Sequence, residues 1–97
     1  MPRIQTADVR RAAERYFGVS EAELLSHRRA PSIEFARTVA MYVALKKTTA
    51  PRALVCSAFN RDSKATSRLV KRVNRRIAAG DARLAQAIRG LSASLAA

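Results

Sequence analysis

The stretch that decides the fold runs from Pro51 to Ala79, PRALVCSAFNRDSKATSRLVKRVNRRIAA. Pro51 suits a first helical position, because its φ is already helical and its missing N–H would have found no partner there. Leu54, Val55 and Ala58 form a short apolar face, so a helix is predicted from Arg52 to Phe59. Phe59-Asn60-Arg61 makes the turn, and Asn60 can adopt the left-handed backbone that such turns need. Asp62 or Ser63 caps a second, longer helix from Ser63 to Ala78, closed by Gly80. A short helix, a tight turn and a longer helix outline a helix-turn-helix over residues 51–79.

The longer helix has two faces. Lys64, Arg68, Lys71, Arg72 and Arg75 fall within an arc of roughly 100° on a helical wheel, with Leu69, Val70, Val73 and Ile77 opposite. Arg61 to Arg76 holds seven basic residues and one acid. A solvated charged face is the bland reading of such a run. No acid shares the arc, however, so i,i+4 ion pairs cannot account for the charges. Five clustered cations repel one another less when an anion is normally present. The helix can bury one face and lay the other along phosphates.

Outward from this segment the chain reads as further helices. Thr6 is expected to cap a first helix with Val9, Ala12, Ala13, Tyr16 and Phe17 on its core face, ended by Gly18. Ser20 and Glu23 form a capping box that opens a short helix through Leu24 and Leu25. Pro31 disfavours helix at the residue before it, which leaves Arg28 and Arg29 on an exposed loop. Ser32 is expected to cap a long third helix through Ile33, Ala36, Ala40, Val43 and Ala44, fading at Lys46 and Lys47, whose charges complement the helix dipole. Asp81 caps a sixth helix with Leu84, Ile88, Leu91 and Leu95 as its stripe. Six helices without a linker or repeat make one all-α domain over residues 1–97.

Composition narrows the partner. Nineteen Lys and Arg against seven Asp and Glu give the 97-residue chain a formal charge of +12. Fifteen of those cations are arginine, whose planar fork grips phosphates and base edges in pairs of hydrogen bonds. Nucleic acid is the expected acidic partner. Aromatic residues are 5% of the chain, which leaves few platforms for stacking unpaired bases and disfavours single-stranded RNA. One cysteine, Cys56, excludes an internal disulfide and a cysteine-based zinc site, and its apolar neighbours make it a small core residue. His27 sits among arginines and suits a surface or phosphate-contacting role rather than a metal. The scattered acids include no pair placed for acid–base catalysis. No catalytic residue, metal or cofactor is expected. No apolar run long enough for a membrane span or a secretory signal is present, so a cytoplasmic location follows by elimination, with nucleoid association expected of a DNA binder.

The segment VRRAAERYFGVSEAELLSHRRAPSIEFARTVAMYVALKKT resembles the C-terminal DNA-binding domain of the bacterial replication initiator DnaA. The likeness rests on Tyr16-Phe17 at the end of the first helix, the basic loop LLS-x-RR at Leu24 to Arg29, and ARTVAMYVA at Ala36 to Ala44, which is similar to the family's AR-x-IAMYL. The family's next segment, LPEIG-x-x-FGGRDHTTV, corresponds to RALVCSAFNRDSKATSRLVKRV with one turn residue missing. The resemblance implies a six-helix, Trp-repressor-like bundle that binds double-stranded DNA in replication control or transcription regulation. It implies that Arg29 enters the minor groove with Arg28 beside it. The base-reading His-Thr-Thr has become Ser63-Lys64-Ala65, which implies a changed target. The initiator's ATPase domain is not represented, since no G-x-x-x-x-G-K-[ST] phosphate loop occurs.

The residues expected to contact DNA are therefore Arg28, Arg29, Arg61, Asp62, Ser63, Lys64, Thr66, Ser67, Arg68, Lys71, Arg72 and Arg75. Two alternatives remain open at this point. One is a protein-interaction module that kept the fold and binds nucleic acid only non-specifically. The other is RNA or acidic-lipid binding driven by charge alone.

Overall fold

Six helices in the computed structural model hold most of the described residues, 3–96, and no strand occurs among them. They are α1 Thr6–Phe17, α2 Glu21–Leu25, α3 Pro31–Lys47, α4 Arg52–Ala58, α5 Ser63–Ala78 and α6 Ala82–Ala96.

Helix α3 is the axis of the bundle and touches each of the other five. Ile33, Ala36, Val39, Ala40, Met41, Val43 and Ala44 are all buried along it. Alanines at 36, 40 and 44 lie one above the other on the helix and keep that face narrow, so neighbouring helices can approach closely. Val9 and Ala13 of α1, Val55 and Phe59 of the α4 region, Val73 of α5, and Leu84 and Leu91 of α6 close around it with no exposed surface. Each buried Val, Leu or Phe contributes roughly 1.5–3 kcal/mol of transfer free energy.

The helix ends show why the chain stops where it does. Ser20 and Glu23 form the expected capping box, with Glu23 N–H donating to Ser20 Oγ at 3.1 Å and Ser20 N–H to Glu23 Oε1 at 2.9 Å. Asp81 caps α6 by accepting from Leu84 N–H at 3.0 Å. Gly80 has φ +90°, and the Asp81 and Gly80 amides donate back to Arg76 and Ile77. That pair of bonds is the Schellman closure of α5. Gly18, with φ +67°, ends α1 in the same left-handed conformation.

Several expectations are corrected. Gln5, not Thr6, is the N-cap of α1, and its N–H donates to Asp8 Oδ2 at 2.9 Å. Helix α3 begins at Pro31 itself, with Ala30 as N-cap, so Ser32 caps nothing; a proline at the first helical position loses no hydrogen bond. Pro51 is the N-cap of α4 rather than its first residue. Tyr16, Leu54 and Ile77, expected in the core, are 44%, 60% and 37% exposed. Their spacing is apolar, yet each keeps one side open; the Tyr16 ring rests against Gly90 of α6 and is covered only there.

The least expected core residue is Arg37, only 6% exposed on α3. Its Nε donates to the Leu24 carbonyl at 2.8 Å and its Nη2 to the Glu23 carbonyl at 3.1 Å, at the C-terminal end of α2. Both Nη atoms also reach the Arg28 carbonyl, at 3.4 Å. Burial, then the neighbouring Arg61 charge, push its guanidinium below the ordinary arginine value. The charge is thus held by carbonyl dipoles, not by an ion pair among the described residues. Arg37→Met keeps the apolar stem and removes the donors, leaving the Leu24 and Arg28 carbonyls without this partner, while Glu23 keeps the Ser26 hydroxyl and amide. Urea unfolding should show a loss of about 2–3 kcal/mol. A loss below about 0.5 kcal/mol would mean that the carbonyls find other partners.

Candidate nucleic-acid interface

The turn between α4 and α5 closes without a glycine. Asn60 takes φ +55°, the one positive φ among the described non-glycine residues. Arg61 N–H donates to the Cys56 carbonyl at 2.8 Å and Asn60 N–H to Ser57 at 3.0 Å, which is again the Schellman pattern. Phe59, fully buried, anchors the turn in the core. Asp62 then caps α5, accepting from Lys64 N–H at 3.1 Å. A short helix, this turn and α5 make up the expected helix-turn-helix.

The same turn is tied to the basic loop. Arg61 Nη2 donates to the Ser26 carbonyl at 2.6 Å, and its Nη1 donates to Asn60 at 3.0 Å. Asn60 Nδ2 donates to the Leu25 carbonyl at 3.3 Å. With Arg37 holding the Arg28 carbonyl, the loop is fixed from two sides. Arg28 and Arg29 themselves stay exposed. His27, Arg28, Arg29, Glu34, Arg37 and Arg61 line a groove of about 280 Å³. It runs into a second, of about 240 Å³, between α3 and α5, to which Arg68 and Arg72 contribute.

Beyond Arg28 and Arg29, the sequence-expected residues divide into three groups. Ser63, Lys64, Arg68, Lys71, Arg72 and Arg75 are exposed along α5, and none of these cations is in an ion pair among the described residues. Arg68 and Arg72 border the groove that adjoins the loop's through Glu34, Arg37 and Arg61, whereas Lys64, Lys71 and Arg75 line neither. Arg61, Asp62 and Ser67 carry structural bonds. Ser67 Oγ, half-buried, accepts from Arg52 Nη1 at 3.1 Å and so sets a further cation beside α5.

Thr66 forms the third group, as a correction. It is fully buried, its hydroxyl against the Cys56 thiol, and cannot contact a ligand. The helical phase explains it, since Thr66 shares a face with Leu69 and Val73, both buried. Cys56 is the buried core residue expected.

Sequence reasoning missed Arg37 and Arg52. Arg37 falls four residues from both Ile33 and Met41 on the buried stripe of α3, so a charge at an apolar position was the available signal. Arg52 carries no such signal, because its partner lies on another helix.

Four of the seven acids are not free for chemistry. Asp8, Glu23, Asp62 and Asp81 accept backbone amides at helix starts. Asp81 is held below the ordinary carboxylate range by the Leu84 amide, then by Arg76. Among the described residues no group of three His, Cys, Asp or Glu could hold a metal, and no helix is long and apolar enough to cross a membrane.

Among curated proteins, no sequence matches the chain. The family model described as bacterial dnaA protein helix-turn-helix matches residues 6–73, from α1 into α5, covering the basic loop, the Asn60 turn and most of the cationic arc. The chain therefore belongs to the bacterial DnaA helix-turn-helix family.

Proposed function

We propose that this chain binds duplex DNA sequence-selectively, with the N-terminal turn of α5 against base edges in the major groove and Arg29 in the adjacent minor groove. Membership of a DNA-binding helix-turn-helix family supports duplex DNA as the partner. One observation carries the rest. The exposed loop Arg28-Arg29 and two cations of α5, Arg68 and Arg72, border adjoining grooves, joined through the Arg37 and Arg61 that line both. A loop beside a recognition helix is the placement that lets one segment enter the minor groove while the other occupies the major groove.

The roles follow from side-chain chemistry. Arg29 and Arg28 approach a minor groove whose narrowing over A·T pairs strengthens its negative potential. Arg68, Lys71, Arg72 and Arg75 contact phosphates, which set register and carry no sequence information. Ser63 and Lys64 face base edges. Lys64 has donors only, so it favours guanine O6 and N7 and cannot accept from adenine or cytosine amino groups. Arg61 and Asp62 act mainly through the turn they hold. The chain works as a binding module rather than an enzyme, at the nucleoid, in replication control or transcription regulation. That assignment rests on the resemblance to the initiator's DNA-binding domain.

Selection from random duplexes tests selectivity. An enriched motif is expected, with a guanine opposite Lys64, and flat enrichment would favour a module that touches DNA non-specifically. Log affinity should fall against log salt with a slope of roughly −4 to −5, for about five neutralised phosphates. A slope near zero would remove the cationic arc from the interface. Arg68→Ala with Arg72→Ala should weaken all sequences about equally.

Lys64→Ala should relax preference at one base pair by about 1–3 kcal/mol, measured by competition between duplexes differing only there. Uniform weakening of every sequence would make Lys64 a phosphate contact instead.

A further inference from the structure

The groove between α3 and α5 does not end where the helix-turn-helix does. Arg72 lines it on one side and, on the other, lines a further groove of about 340 Å³ that Pro31, Phe35, Arg76 and Arg83 complete. Glu34 lines this last groove and also the one that Arg28 and Arg29 border, so the three grooves adjoin. Arg76 and Arg83 fall beyond the residues shared with the family, which end at 73.

The two arginines are held differently. Arg76 donates twice to Asp81 Oδ2, Nε at 3.0 Å and Nη2 at 2.8 Å, so its charge is largely answered within the protein. Arg83, in the first turn of α6, is exposed and in no ion pair among the described residues. Its guanidinium carbon sits 4.3 Å from the centroid of the Phe35 ring, and Phe35 is itself fixed edge-on by Phe17 at 6.0 Å. Stacking on a ring face orients a guanidinium while leaving its in-plane N–H donors free. A pre-oriented fork loses less side-chain entropy when it takes up a phosphate. Glu34 and Asp81 are the acids nearby, against Arg72, Arg76 and Arg83, so the groove keeps a net positive charge.

We propose that the DNA contact surface extends past the helix-turn-helix onto α6, with Arg83, stacked on Phe35, gripping a backbone phosphate of the duplex flanking the recognised site and Arg72 bridging the two parts of the track. The inference rests on the DNA-binding reading above and adds a contact that the family-matched segment does not contain. It assigns α6 a ligand role besides its place in the core.

The test is the salt dependence of binding to a duplex of roughly two helical turns, about 20 base pairs, measured for wild type, Arg83→Gln and Arg89→Gln. Arg89 is exposed on the same helix and lines none of these grooves, so it controls for net charge. Arg83→Gln should reduce the steepness of the log–log slope by about 0.9 and weaken all sequences alike, the deficit shrinking about 3.5-fold between 50 and 200 mM salt. Arg89→Gln should leave the slope at the wild-type value. An unchanged slope in Arg83→Gln, or an equal change in both variants, overturns the α6 contact while leaving the helix-turn-helix reading in place. A wild-type slope near zero overturns that reading itself.

Discussion

The buried guanidinium of Arg37 is the constraint on which the interface depends. Placing a charge in a core of Ala, Val and Met costs free energy unless its donors are met. Here they are met by the carbonyls of Glu23, Leu24 and Arg28. The satisfied charge decides where α2 ends relative to α3, and therefore where the next residues, the basic loop, must lie. Arg61 and Asn60 bind the carbonyls of Ser26 and Leu25 from the opposite side. The turn of the helix-turn-helix and the loop are thereby held as one rigid unit.

This division of labour explains how so many cations fit on a small helical bundle. Some arginines spend their donors on the backbone, as Arg37 and Arg61 do, and draw mobile segments together. Others are presented without an answering acid, as along α5 and on the loop. Glu34 stands among them on α3, lining every groove of the track. The protein thus stores like-charge repulsion across a surface that a polyanion would relieve, and the structural arginines prevent the loop from swinging away to relieve it instead.

Much of the fold was legible because its signals are local. Ser20 with Glu23, Gly18, Gly80, Asp62 and Asp81 each mark a helix end through bonds spanning a few residues. Asn60 could be read as a left-handed turn residue even where the family carries glycines. The site was legible in outline, since the arc on α5 and the loop arginines are runs in the sequence. What could not be read were choices made by distant partners. Arg83 is stacked because α6 returns beside Phe35, Arg52 is drawn to α5 by Ser67, and Tyr16 lies over Gly90 of α6 with its other side open. The N-caps Gln5 and Ala30 escape a sequence reading for a smaller reason, since a serine or threonine nearby is a common but not obligatory cap.

Amide chemical-shift changes during titration with a selected duplex test the account most directly, because they report which surface meets DNA without altering it. The account predicts the largest changes at residues 27–29 and along 61–72, with the amides of α1 Thr6–Phe17 nearly unmoved. Changes centred on α1, or confined to α5 with the loop silent, would contradict the claim that Arg37 and Arg61 hold loop and helix as one DNA-binding surface.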